Sequence, residues 1–184
     1  MHFLNANFEK IKKEADAPAA AEGEADKASD LYLRGASVGM ISHFSFINSP
    51  LKRKARELQK KLYLKGTSYW PNPTENISIP FAHKTANDSD TIQLLQRLPS
   101  IATKTTPVPT VIYITGLDGY HTDTMPLATN FLITHGCTAI SVEIPSTCDC
   151  LTAANDPTSP DRLWTSVLDW LQDQPWCDRT RILA

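Results

Sequence analysis

The stretch PTVIYIT, Pro109–Thr115, restricts the fold more than any other part of the sequence. It is an unbroken β-branched and aromatic run, the pattern of a strand buried on both faces of a parallel sheet. A loop with two glycines follows, GLDGYHTDTMP, and then a helical stretch, LATNFLITHG, closed by Gly136. CTAISVEIP is a second apolar run, and STCDCLTAANDPTS a long loop. In PDRLWTSVLDWLQDQ, Ser159 is placed to cap and Pro160 to start a helix whose apolar face is Leu163, Trp164, Val167, Leu168 and Leu171. After Pro175 the chain turns and RILA begins a third strand. Strands alternating with helices in this way predict a parallel sheet with crossover connections.

Upstream, YWPNPTENISIPF excludes helix through its prolines, and from Asn76 the pattern becomes strand-like. TIQLLQRLPS is a second short strand, and Asn87, Asp88, Ser89 and Asp90 between them are turn formers, so an antiparallel pair is expected. Before that lie two helices. Ala28, Leu31, Tyr32, Ala36 and Val38 form an irregular stripe on the first. Ser49 caps the second, Pro50 opens it, and Leu51, Ala55, Leu58 and Leu62 recur at helical spacing. Lys52, Arg53, Lys54, Arg56, Lys60 and Lys61 take much of its other face, read as a solvated basic face, and Gly66 ends it. The expected organisation is therefore a charged tail or frayed helix over 1–24, a helical hairpin over 25–70, and an α/β unit over 71–184.

Composition narrows the function classes. A net charge of −2 gives no field for nucleic acid or an anionic membrane surface, and no run of about 18 apolar residues marks a membrane span. No basic head followed by an apolar block stands at the start, so a cytoplasmic protein is expected, with Cys137, Cys148, Cys150 and Cys177 as free thiols.

Ligands of open α/β sheets bind at the carboxyl ends of the strands, here Gly116–Asp123 and Ser146–Cys150. GLDGY has neither a third glycine nor a Gly-Lys-Ser/Thr, so no nucleotide cofactor is expected. Cys148, Asp149 and Cys150 are ligand types, but no second Cys or His pair stands at zinc spacing, so no metal is expected. The loop Gly116, Leu117, Asp118, Gly119 admits two readings: a tight turn, or backbone N–H donors for a developing oxyanion. A substitute triad from Ser146, His121 and Asp118 or Asp123 is disfavoured, because no serine sits on an elbow and His121 falls in a polar loop where exposure is the default.

From Lys27 to Ala184 the chain resembles the fungal yellowish-green-type pigment-pathway hydrolases, which shorten polyketides and are related to FrsA-like esterases of the α/β-hydrolase superfamily. The residues carrying this are the hairpin segment KASDLYLRGASVGMISHFSFINSPLKRKARELQKKLYLKGTSYWPNP, VIYITGLDGYHTD, VEIPSTCDC and SPDRLWTSVLDWLQDQPWCDRTRILA, in the family's order. The resemblance implies a hairpin cap region over 25–70, and over 71–184 the amino-terminal half of a hydrolase core ending before the nucleophile elbow. It favours the oxyanion reading of Gly116–Gly119, matches Asp149 to an acidic position that reads as a loop cap first and as site lining second, and makes RILA the stem of the strand that carries a serine on Gly-x-Ser-x-Gly. No such motif occurs in the 184 residues, and no member of the triad is identified. The resemblance also implies truncation at both ends and hence an inactive chain. It implies a small polyketide-like or ester substrate, no cofactor, and room for a homo-oligomer. The alternative is a non-catalytic interaction module, or a partner of an intact hydrolase. One departure carries a structural expectation. Where the family has Pro-Gly-Thr-Gly-Asp-Cys-Pro, this chain has Pro145, Ser146, Thr147, Cys148, Asp149, Cys150 and Leu151. If the two glycines held positive φ, Ser146 and Cys148 are strained.

Overall fold

The computed structural model describes residues 24–44, 46–153 and 155–184, with helical positions 6, 10 and 12–14; the side chains of 124–128 are not described. Most of the 1–24 tail therefore lies outside the described residues. The chain divides into two compact units, Met1–Thr74 and Glu75–Ala184.

The first unit is the expected helical hairpin: α1 (Ala25–His43) packs against α2 (Pro50–Thr67). The Ser49 hydroxyl accepts the Lys52 N–H at 3.3 Å and Pro50 opens α2, as the sequence indicates. Three readings need correction, and the first two share one cause. The helices approach too closely for a wide leucine stripe, so small residues line the seam. Ala28, Ser29, Gly35 and Ala36 are buried on α1, whereas Val38 and Leu51 are half exposed. A Cβ on Gly39 would stand 2.8 Å from Gln59 Cβ, and one on Gly66 would stand 2.9 Å from Leu33 Cγ. Gly66 is thus a contact glycine inside α2 rather than its terminator, and the Ser29 hydroxyl donates to its carbonyl at 2.9 Å. Arg56 is not on the solvated face. It is buried, and its Nη1 donates to Gln59 Oε1, which also bonds His43 Nε2 at 2.8 Å.

The second unit is a five-stranded sheet with helices on both faces. Its elements are β1 (Glu75–Pro80), β2 (Thr91–Arg97), β3 (Val108–Ile114), α3 (His121–Thr134), β4 (Thr138–Val142), α4 (Ser159–Gln172) and β5 (Cys177–Leu183). The strand order is β1-β2-β4-β3-β5. β1 and β2 form the expected antiparallel pair, β2 runs antiparallel to β4, and β3 runs parallel to both β4 and β5.

Register decides which side chains share a face. Leu94 lies opposite Val142, and Arg97 opposite Ala139. The face carrying Leu94, Ile112, Ile140 and Val142 receives Leu163, Val167 and Leu171 of α4, all fully buried. Each such side chain contributes about 1.5–3 kcal/mol by leaving water. The opposite face carries Arg97, whose guanidinium donates to Thr129 Oγ1 at 2.9 Å and Asn130 Oδ1 at 2.6 Å, so α3 lies there. Two helices on opposite faces bury β4 completely, as expected for an unbroken apolar run. On β3 only Val108, Thr110 and Ile112 are buried, while Pro109, Val111 and Tyr113 are half-buried. α3 covers β2 and β4 instead.

Helix ends shift by a few residues. Thr158, not Ser159, is the N-cap of α4, because Asp156 Oδ1 accepts both its N–H and its hydroxyl and fixes the entry turn. Leu168 is 40% exposed at the margin of the helix's apolar face. α3 starts at His121, within the stretch read as loop, because Asp123 Oδ2 accepts the Tyr120 N–H and closes the first turn. Gly136 ends it at φ 73°, the left-handed conformation a helix terminator adopts.

β5 is longer than RILA and begins at Cys177. It pairs with β3 at Cys177–Val108 and again at Ile182–Thr110, so four residues of β5 span one of β3. Asp178 causes this bulge. Its Oδ1 accepts the Thr180 N–H and hydroxyl, and Arg181 Nε donates to its Oδ2 at 2.6 Å.

Candidate functional site

The carboxyl ends of β3 and β4 meet where the chain reverses its direction of winding. From β3 it passes through α3 to β4 on one side, then through α4 to β5 on the other. This is where an open α/β sheet forms its ligand crevice.

Two loops bound it. The first is Gly116–Gly119. Neither glycine has a positive φ, and a Cβ on Gly116 would come no nearer than 3.9 Å to another group, while one on Gly119 meets nothing within 4 Å. Conformation therefore does not demand glycine here; the missing side chains leave the backbone open. Among the described residues no acceptor takes the N–H of Gly116, Leu117, Asp118 or Gly119. Four consecutive amides at the end of β3 without an acceptor among the described residues are donors available to a ligand. Leu117 is 70% exposed.

The second loop is Ile144–Cys150, built from stacked turns. Ile144 O accepts the Thr147 N–H, and Thr147 O accepts the Cys150 N–H at 2.7 Å. Ser146 has φ 63° and Cys148 φ 38°, so the two replaced glycine positions do hold left-handed backbone. Strain there is about 1–3 kcal/mol per residue. At Ser146 it is partly offset, because the hydroxyl bonds Thr152 Oγ1 at 3.1 Å. The Cys148 thiol approaches Asp149 Oδ1 at 3.8 Å, a weak sulfur contact. Cys148→Gly is accordingly expected to raise unfolding stability by about 1 kcal/mol, whereas Ser146→Gly is near neutral because about 1 kcal/mol of hydrogen bonding goes with the strain. Urea denaturation of the two variants checks this contrast.

Glu143 joins the loops, and sequence reading passed it over. It follows β4 directly and is buried to 1% exposure. Oε1 accepts the His121 N–H at 3.4 Å, and Oε2 accepts the Asp149 N–H at 2.7 Å. A glutamate ending an apolar strand was the available signal, since a charge at such a position persists only when paired.

His121 is the clearest correction. It is fully buried at the first position of α3, because the Glu143 carboxylate and the Tyr120–Asp123 turn draw the helix start into the sheet end. Its Nε2 stands 3.4 Å from Asp149 Oδ2 and 3.6 Å from Glu143 Oε1. Asp149, placed at the site lining from sequence, thus faces His121. No relay joins His121 to Ser146, whose hydroxyl is turned to Thr152 and Ala153. Cys150 is no nucleophile either. Burial first, and the Glu143 carboxylate second, push its thiol up to about 12, which keeps it protonated at neutral pH. All four cysteines are free.

Known proteins resemble this chain in family and in fold. A family model described as "Esterase FrsA-like" matches residues 11–184. No curated protein matches the chain by sequence. Among solved structures, 2,6-dihydroxy-pseudo-oxynicotine hydrolase is similar at TM-score 0.70 and 16% identity, covering 95% of this chain and 46% of that one. AbyA5 is similar at TM-score 0.60 and 14% identity, with the same coverages of 95% and 46%. The chain therefore spans just under half the length of each. The sheet is a partial α/β-hydrolase sheet: an antiparallel pair, then parallel strands with crossover helices, preceded in the chain by a helical hairpin. Among the described residues no helix is long and apolar enough to cross a membrane.

Proposed function

The chain belongs to the FrsA-like esterase family, and on that premise we propose that it supplies the oxyanion-binding half of a serine hydrolase acting on a small carbonyl substrate. The observation that carries the reading is the run of four N–H groups, Gly116 to Gly119, without protein acceptors at the end of β3. β5, hydrogen-bonded beside β3, is the strand that leads to the nucleophile, a serine outside these 184 residues. In the complete enzyme the serine Oγ attacks the carbonyl carbon, and the carbonyl oxygen takes up the negative charge against the loop amides. The bond to the leaving group then breaks, its electrons taken with a proton, and water releases the acyl group. Asp149 lines the same crevice.

The finer reading is cleavage of a carbon–carbon or ester bond in an aromatic polyketide, in fungal pigment metabolism, by a cytoplasmic enzyme. What supports it is the combined sequence likeness of the hairpin, GLDGYHTD and the tryptophan-rich α4 segment. The family premise supports hydrolase chemistry.

The 184-residue chain by itself is expected to hydrolyse nitrophenyl esters at the buffer rate and to take no label from a serine-directed fluorophosphonate. Turnover well above buffer, abolished by that reagent, would show a nucleophile within these residues and overturn the reading.

A further inference from the structure

We propose that His121, Glu143 and Asp149 form a binding site for a divalent cation of the zinc type. Nothing in the sequence suggested it, because the three residues come from the start of α3, the end of β4 and the loop beyond.

Three observations carry the site. First, both ring nitrogens of His121 lack a hydrogen-bond partner among the described residues although the residue is fully buried. A buried polar atom without a partner carries a desolvation cost that a bound ligand removes. Second, Nε2 points between two carboxylate oxygens, at 3.4 Å and 3.6 Å. Ligands about 2.0–2.2 Å from a tetrahedral ion stand roughly 3.3–3.6 Å from one another, so both separations match edges of such a polyhedron. Third, the three ligand atoms all lie within 4.8 Å of one another. The widest edge closes by a side-chain movement of roughly 1 Å. Asp149, whose side chain is 28% exposed, has room to make it.

The chemistry of the set is consistent. Two carboxylates place two negative charges around one imidazole, and a divalent cation balances them. Glu143 accepts the His121 N–H on Oε1 and the Asp149 N–H on Oε2. Those N–H groups hold the carboxylate in place in the way outer partners orient metal ligands. One imidazole with two carboxylates favours zinc-type ions over calcium or magnesium, which take all-oxygen shells. Bound there, the ion fastens the residue that follows the Gly116–Tyr120 segment to the loop after β4.

The test is calorimetric titration of the chain with Zn²⁺ and, separately, the visible spectrum with Co²⁺. The half-buried thiols Cys137 and Cys148 are controlled by the Cys137→Ser/Cys148→Ser variant. We expect 1:1 binding in the native chain and in that variant. Asp149→Asn should weaken it at least about tenfold, and His121→Gln should do the same, with the far-ultraviolet circular dichroism of each variant unchanged. The Co²⁺ spectrum should lack a thiolate charge-transfer band. Absence of binding by the native chain, loss of binding in the double-serine variant, or undiminished affinity in Asp149→Asn overturns the site. None of these readouts depends on esterase activity, so failure here leaves the hydrolase reading standing, and the converse holds.

Discussion

Asp88→Ala is expected to lower the unfolding free energy of the sheet unit by about 1–3 kcal/mol. Asp88 lies in the β1–β2 turn with its side chain fully buried. One carboxylate collects the Thr85 N–H at 2.7 Å and hydroxyl at 2.9 Å, the Ala153 N–H at 2.7 Å, and the Arg162 guanidinium at 2.9 Å. Arg162 in turn meets Asp156 at 2.9 Å. The turn, the loop after β4 and helix α4 are thus tied at a single side chain. Removing it leaves the Thr85 and Ala153 amide donors without their acceptor and takes one of the two carboxylates that meet the guanidinium. That is the costly half of a buried pair, larger than the pair's net contribution. Arg162→Met should also lower the urea midpoint, and the double variant Asp88→Asn/Arg162→Met should lose less than the sum of its two single changes, because they share one interaction.

The same carboxylate gives the unit an acid limit. Burial alone raises its pKa, but the donors from Thr85, Ala153 and Arg162 outweigh burial and bring it down to about 2. A folded value below the unfolded value of about 3.9 means that Asp88 stabilises the fold fully above pH ~5. That contribution is lost as pH falls through 4 toward 2. Urea midpoints of the native chain should fall over this window, and those of Asp88→Asn should fall less. Equal pH dependence in the two proteins would contradict the role given to Asp88.

These anchors show what the sequence could and could not reveal. The antiparallel β1–β2 pair and the parallel strands with crossover helices followed from local pattern, because β1 and β2 are joined by turn formers and apolar runs alternate with helical stretches. Asp88 was read correctly as a turn former, yet its long-range partners Ala153 and Arg162 carry no local signature. Ser146 and Cys148 were legible only through the family's glycines, since nothing in serine or cysteine announces a positive φ. His121 was misread because exposure was judged from polar neighbours in the chain, whereas its burial is set by Glu143, twenty-two residues on. In the hairpin, Gly66 reads locally as punctuation, whereas it marks, as Gly39 does, where the two helices approach.

The second large effect concerns the amides of Gly116–Gly119. In the complete enzyme, Leu117→Pro and Gly119→Pro each delete one N–H from the loop and leave the strand beneath it. If a deleted amide faces the oxyanion, the group it would have stabilised exists only in the transition state. The loss should then fall on kcat, by about 10²–10³-fold, with KM little changed. The two variants need not be equal, since only amides directed at the reacting carbonyl contribute. A tight turn without a catalytic part predicts something different: both substitutions alter stability or KM and leave kcat within a few-fold of native.

Steady-state kinetics of these two proline variants on a nitrophenyl ester, with folding verified by circular dichroism, is the decisive measurement. A drop of about two orders of magnitude or more in kcat for at least one of them, at near-native KM, is the predicted result. Native kcat in both would remove the oxyanion role from Gly116–Gly119 and leave the hydrolase reading of this crevice without its supporting observation.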